Sequence, residues 1–143
     1  MKEDLVTIVK KEMGSRQGVR IILEDCERKV LANDMLGVVF DNLFSNSLKF
    51  GGKDTIITVS ARDTPGGIVE ISVTDTGPGI PDDSKLLIFD RFAQDTKKRS
   101  SYGLGLHIVK MLVESYSGTV WAGDRIPGRQ ESGAAIHFTL RPA

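Results

Sequence analysis

Two different apolar periods run through this chain, and the places where one gives way to the other mark out its elements. Residues 4–13 (DLVTIVKKEM) put Leu5, Ile8 and Val9 on one side of a short helix. Residues 18–24 (GVRIILE) predict a strand, and 29–32 (KVLA) a short partner strand. Asn33 or Asp34 is placed to cap a helix running to about Phe50. Leu36, Val39, Phe40, Leu43, Phe44 and Ser47 form its apolar face, and Gly51-Gly52 ends it. Strands at 55–62 and 68–75 flank the turn Asp63-Thr64-Pro65-Gly66-Gly67, so they predict a hairpin. Thr76-Gly77-Pro78-Gly79-Ile80-Pro81 excludes regular structure. A short helical patch is expected over 83–91 and a mobile polar loop over 93–102. A second long helix spans 104–116, with Leu106, Ile108, Val109 and Leu112 turned inward. Strands at about 118–123 and 134–140 close the chain around a loop at 124–133.

Hairpins dominate this order and helices do not alternate singly with strands. The fold class is therefore α+β: a two-layer sandwich with a mixed, mostly antiparallel sheet and about three helices on one face. A length of 143 residues suits one domain covering 1–143. Lys and Arg number 19 and Asp and Glu 19. The basic excess of a nucleic-acid binder is missing. A single cysteine, Cys26, excludes a disulfide framework and a multi-cysteine metal site. No apolar run reaches the ~18 residues of a membrane span, and the opening Met1-Lys2-Glu3-Asp4 is too polar for a secretion signal.

Glycine, at 15 residues, gathers around two points, and the chemistry gathers with it. Asn42, Asn46 and Lys49 fall on one narrow stripe of the helix 34–50. Asn is a poor helix-interior residue, an amide oxygen is a hard ligand suited to Mg²⁺, and an ammonium suits a phosphate. A plain solvated face remains the other reading of the same stripe. Asp75 ends the core-facing row Val69, Ile71, Val73. A buried carboxylate there needs a donor, and the exocyclic amine of adenine is one. Gly77 and Gly79 permit close backbone approach, although a strand-ending Asx turn explains them as well. Ile88-Phe89-Asp90-Arg91-Phe92 offers two aromatic anchors for the loop that follows. Gly103-Leu104-Gly105-Leu106 opens the second long helix, where free N–H groups favour phosphate. A dinucleotide fingerprint is excluded, because the preceding stretch is polar loop and Ile108 stands where the third glycine belongs. No glycine-rich stretch ends in Gly-Lys-Ser/Thr, so a P-loop is excluded too.

Taken in order, NLFSNSLKF, DTGPGI, IFDRFAQ and GLGLHIVK resemble the N box, first glycine box, F box and second glycine box of the ATP-binding catalytic domain of sensor histidine kinases. That domain belongs to a superfamily shared with type II topoisomerases, a heat-shock chaperone and mismatch-repair ATPases. The likeness covers about residues 4–141 and implies the Bergerat fold, with ATP and Mg²⁺ as ligands. It implies that Asn46 coordinates Mg²⁺ with Asn42 assisting, that Lys49 meets phosphate and that Phe50 borders the nucleotide. Asp75 would accept from the adenine amine in a pocket shaped by Gly77, Gly79 and Ile80. Phe89 and Phe92 would seat the lid. Gly103, Leu104, Gly105 and Leu106 would offer backbone donors to the phosphates, and Gln94, Lys97, Lys98 and Arg99 are lid candidates for the γ-phosphate.

The departures from the family pattern are informative. Ser101 stands where a further glycine is usual, and 124–133 is longer than the usual link. The phosphoacceptor hairpin with its His-Glu pair is absent; His107 and His137 lie in a helix and a strand and are expected to be structural. The resemblance thus implies transfer of the γ-phosphoryl to a histidine on a separate dimerisation and phosphoacceptor domain, and onward to a response regulator. Hydrolytic relatives carry a Glu at the place of Asn42, so slow intrinsic hydrolysis is expected, since an amide is no general base. A stand-alone serine kinase of anti-sigma type and a nucleotide-binding regulatory module without transfer are the alternatives. The domain is expected to be cytoplasmic and monomeric in isolation, without membrane or nucleic-acid contact, although its parent protein could be membrane-anchored.

Overall fold

A computed structural model describes residues 2–14, 16, 18–90 and 104–143. The expected loop 93–102, with Phe92, Gln94, Lys97, Lys98, Arg99, Ser101 and Gly103, lies outside the described residues. The described chain runs β1 (Lys2–Asp4), α1 (Leu5–Gly14), β2 (Arg20–Glu24), β3 (Lys29–Leu31), α2 (Leu36–Gly51), β4 (Ile56–Asp63) and β5 (Val69–Asp75). A 3₁₀ turn (Asp82–Ser84), α3 (Gly105–Ser115), β6 (Val120–Ile126) and β7 (Arg129–Leu140) follow. The main sheet has the order β2-β4-β5-β7-β6, in which only β2 and β4 are parallel.

Packing explains the layers. All six predicted positions of α2, from Leu36 to Ser47, are buried. They meet the inward row of β5, where Val69, Ile71, Val73 and Asp75 alternate with half-buried neighbours. Phe40 sits at the centre, its ring 6.0 Å from Phe44 and 5.8 Å from Phe138 of β7. Leu5 and Val9 of α1 and Leu106, Val109 and Val113 of α3 complete the core. On α3 it is Val113, and not Ile108, that is fully buried; Ile108 is only half-buried.

Four local expectations are corrected. The strand at 29–32 does not pair with β2: β3 pairs antiparallel with β1, Glu3 opposite Val30, in a separate two-stranded sheet. The chain leaves the main sheet after Glu24, where Asp25 adopts φ +53 and the buried Cys26 thiol donates to Val59 O at 3.3 Å. Helix α2 starts at Leu36 and neither Asn33 nor Asp34 is its N-cap; Asn33 Oδ1 instead accepts from Met35 N (2.9 Å) and Tyr116 Oη (2.7 Å). Of the patch expected at 83–91, the described residues to Asp90 form a 3₁₀ turn and hydrogen-bonded turns, Leu87 N donating to Ser84 O and Asp90 N to Leu87 O, not an α-helix. The loop expected at 124–133 is a hairpin, with β6 and β7 continuing to a turn at Pro127-Gly128. Ser132 Oγ holds it, accepting from Ile126 N and donating to Arg129 O.

The opposite face of the sheet carries a titratable stack. His137 Nδ1 lies 2.7 Å from Ser72 Oγ, and its ring stacks on Trp121 at 5.4 Å. Burial pulls the imidazole pKa below its ordinary 6.5; the Glu70 carboxylate opposes that shift and Arg62 adds to it. The unfolded chain then binds this proton more readily than the folded one, so the stability it represents is full above 6.5 and declines as pH falls through that value. Thermal melts between pH 7.5 and 5.5 are expected to fall more steeply for the natural chain than for His137→Phe, which keeps a ring at that site and removes the titration. Equal slopes would refute the assignment.

Candidate functional site

Helix α2, the end of β5 and the turn after it meet in one cleft. Asn46, Ser47 and Phe50 line it from the helix, Asp75, Pro78, Gly79 and Ile80 from the strand and turn, and Ala134 and Ile136 from β7. Asn46 and Asp75 therefore open onto the same space, although 29 positions separate them (75 − 46).

Asp75 is 8 % exposed. Its Oδ1 accepts from Gly77 N at 2.9 Å and from Ala134 N at 3.1 Å. These bonds fix the carboxylate plane and leave Oδ2 without a partner among the described residues. A half-satisfied buried carboxylate facing a cleft is built to accept one further donor. The Asx turn at Gly77 is real, so that plain reading and the functional one describe the same atoms. Gly79, at φ +84, passes so close to β7 that an added Cβ would stand 2.0 Å from Gln130 O. Ile80 is buried beside it.

The two asparagines of α2 have different surroundings. Asn42 Nδ2 donates back to Val38 O at 2.9 Å, and its Oδ1 lies 2.9 Å from where a Cβ on Gly105 would sit. Asn42 thus packs against the start of α3 and does not line the cleft, while Asn46 does. Lys49 lies on the exposed side of α2 near its end, outside the cleft lining. Leu104 occupies the N-cap of α3 without a side-chain cap, and among the described residues no side chain caps the first N–H groups of that helix. Leu106 is buried in the core, so any part it takes in ligand binding is through its backbone. His107 Nδ1 lies 3.2 Å from Phe89 O and ties α3 to the turn 85–90. Phe89 is itself buried.

Sequence reasoning missed Ser47, Pro78, Ala134 and Ile136 as lining residues. The signal for the last two was hidden, because their relation to Asp75 depends on the β5–β7 register. Lys85 was also missed. Its ammonium is 2.8 Å from Asp124 Oδ1 of β6 and also pairs with Asp82. The carboxylates of Asp124 first, and then of Asp82, hold its pKa above the ordinary lysine value.

The chain matches known proteins throughout. The model of the family described as histidine kinase-, DNA gyrase B- and HSP90-like ATPase matches residues 32–143, and the chain belongs to this family. The adaptive-response sensory kinase SasA of Crocosphaera subtropica is 34% identical over 110 residues, which are 75% of this chain and 28% of that protein. The solved mycobacterial sensor histidine kinase MprB superposes with a TM-score of 0.84 at 27% identity, covering 100% of this chain and 99% of that one. Full-length ShkA in complex with AMPPNP superposes at 0.79 and 27% identity, covering 100% of this chain and 31% of that one. The chain thus spans about a quarter of the length of the SasA protein it resembles. The two-layer architecture is that of the histidine-kinase ATPase domains, and ATP is the nucleotide of the family.

Proposed function

We propose that this chain binds ATP with Mg²⁺ and passes the γ-phosphoryl to a histidine on a separate dimerisation and phosphoacceptor domain, from which a response regulator takes it. The carrying observation is the shared cleft: the Asn46 amide and the Asp75 carboxylate line one space, and Asp75 Oδ2 lacks a partner among the described residues. Family membership and the sensor-kinase relatives support the same reading.

The residues divide the work. Asp75 Oδ2 accepts from the adenine amine, and Gly77, Gly79 and Ile80 wall the base against Phe50. The first N–H groups of α3, at Gly105 and Leu106, meet phosphate, where the helix dipole adds to the attraction. Lys49, one turn beyond Asn46 toward the end of α2, adds positive charge near the phosphates. Asn42 holds α2 and α3 at their spacing. Among the described residues no group of three or more His, Cys, Asp or Glu could hold a metal. The single amide of Asn46 still fits Mg²⁺, which keeps several waters and binds chiefly through substrate phosphates. When bound, Mg²⁺ supplies positive charge against the triphosphate. The acceptor imidazole nitrogen forms the new bond to γ-phosphorus as the β–γ bridging P–O bond breaks; ADP leaves and the imidazole proton passes to solvent.

Among the described residues no helix is long and apolar enough to cross a membrane. We place the domain in the cytoplasm as a monomer, with dimerisation residing in the acceptor domain. Incubation with γ-labelled ATP and a dimeric histidine-bearing acceptor domain is expected to label the acceptor on histidine, with little phosphate released when the acceptor is left out. Asn46→Ala is expected to abolish labelling and the gain in nucleotide affinity that Mg²⁺ brings, while metal-free ADP binding, which loses only one side of the cleft lining, falls far less. Release of phosphate without acceptor labelling would overturn transfer, and metal dependence surviving in Asn46→Ala would move the ligand elsewhere.

A further inference from the structure

The turn that walls the adenine side of the cleft is fastened at both ends to a single rung of the sheet. At its start, Asp75 Oδ1 accepts from Ala134 N at 3.1 Å. Opposite Ala134 in the β6–β7 register stands Asp124. Ten residues after Asp75 (85 − 75), Lys85 reaches back to that same Asp124, Nζ to Oδ1 at 2.8 Å. The side chains are 16 % and 9 % exposed, whereas the second partner of Lys85, Asp82, is 87 % exposed. The main chain from Asp75 to Lys85 and the bonds Lys85–Asp124, Asp124–Ala134 rung and Ala134–Asp75 therefore close a ring around Gly77–Ile80. Inside that ring Gly79 rests on Gln130 O, a backbone contact with no side chain to interlock. The ladder of β5 with β7 has already ended at Thr74 opposite Ala135. Lys85–Asp124 is thus the one ion pair among the described residues that ties the far end of the turn to the sheet.

We propose that Lys85 and Asp124 are positioning residues for nucleotide binding: their ion pair holds the Gly77–Ile80 wall at its distance from Asp75 and so sets the affinity for the adenine end of the ligand. This rests on the nucleotide-binding reading above. Neither residue lines the cleft, so each acts through the turn and through the Ala134 rung. Removing Lys85 strands the Asp124 carboxylate, which is largely shielded from water, whereas neutralising Asp124 leaves Lys85 only its exposed partner Asp82 and releases the turn from the sheet.

The test is calorimetric titration of the intact chain with ADP and with adenosine. Lys85→Met and Asp124→Asn are each expected to raise Kd by about five- to twentyfold for both ligands, as positional losses of this kind do, with the fold-gain from Mg²⁺ on ADP unchanged. Lys85→Arg is expected to restore affinity to within about threefold, since the fork still reaches a carboxylate. Because a stranded charge could weaken folding, Val30→Ala serves as a control. It trims the buried core beside the small sheet, far along the chain from this ring, and is expected to lower the melting temperature without moving either Kd. Folded Lys85→Met and Asp124→Asn with both Kd values unchanged would overturn the proposal, and so would equal losses in Val30→Ala. A natural chain that binds neither ADP nor adenosine would sink the nucleotide reading itself, a different result from unchanged variants of a chain that binds both.

Discussion

Asp75→Asn is expected to keep the fold and to lose ATP affinity by about 1–3 kcal/mol, the cost of leaving a buried polar pair mismatched. That is roughly a five- to 150-fold rise in Kd. The geometry dictates the direction. Two backbone donors, Gly77 N and Ala134 N, converge on Oδ1. They orient the substituted amide as well, because only its oxygen can face two N–H groups. The new –NH₂ then takes the place of Oδ2 and points a donor into the cleft. A purine with an exocyclic amine meets donor against donor, whereas one with an exocyclic oxygen meets a complement. Calorimetry with ATP and ITP reads the outcome: the ratio of ITP to ATP affinity should rise, while the melting temperature stays within a few degrees. Unchanged ATP affinity in a folded variant discards the assignment of Asp75 to the base.

Much of that geometry is legible in the sequence, and the limits of legibility have a physical pattern. Apolar periodicity reports burial, so it found what is buried on one side. The six-residue face of α2 and the alternating row of β5, down to Asp75 itself, were read correctly. The same signal fails where both faces meet solvent. Residues 125–131 at the tip of the β6–β7 hairpin are all exposed, so their strands carry no alternation and read as a loop. Periodicity also says that a segment is a strand without saying what it pairs with. β2 finds its neighbour in β4, parallel, across the whole of α2, and β3 finds β1. The site shows the same division. A helical stripe groups Asn42 with Asn46, yet only packing separates them, because Asn42 is turned against Gly105 and Asn46 lines the cleft. Lys85 and Asp124 gave no signal at all, since each is an ordinary surface-type residue until the register places Asp124 opposite Ala134.

That register also predicts the substitution with the largest effect on the fold. Gly133 has φ +127, well beyond the left-handed well near φ +57 that an L-residue can visit. A Cβ there would stand 1.8 Å from Asp75 O and 2.9 Å from Asp75 C, both backbone atoms of a central strand that cannot swing aside. Gly128, at φ +82 in the hairpin turn, supplies the comparison, since a Cβ there meets nothing within 4 Å. Gly128→Ala carries only the conformational cost, about 1–2 kcal/mol. Gly133→Ala adds the steric cost and is expected to total about 3–4 kcal/mol, at the upper end of single substitutions. In a chain of this size that lowers the melting temperature by roughly 10 °C, against roughly 4 °C for Gly128→Ala. The two also differ at the site. Gly133 immediately precedes Ala134, whose N–H holds Asp75 Oδ1, so Gly133→Ala should weaken ATP binding well below its melting temperature while Gly128→Ala leaves it alone. Equal melting temperatures for the two variants would mean that β7 yields to the added methyl group, and the close approach of Gly133 to Asp75 would then not be what holds the carboxylate in place.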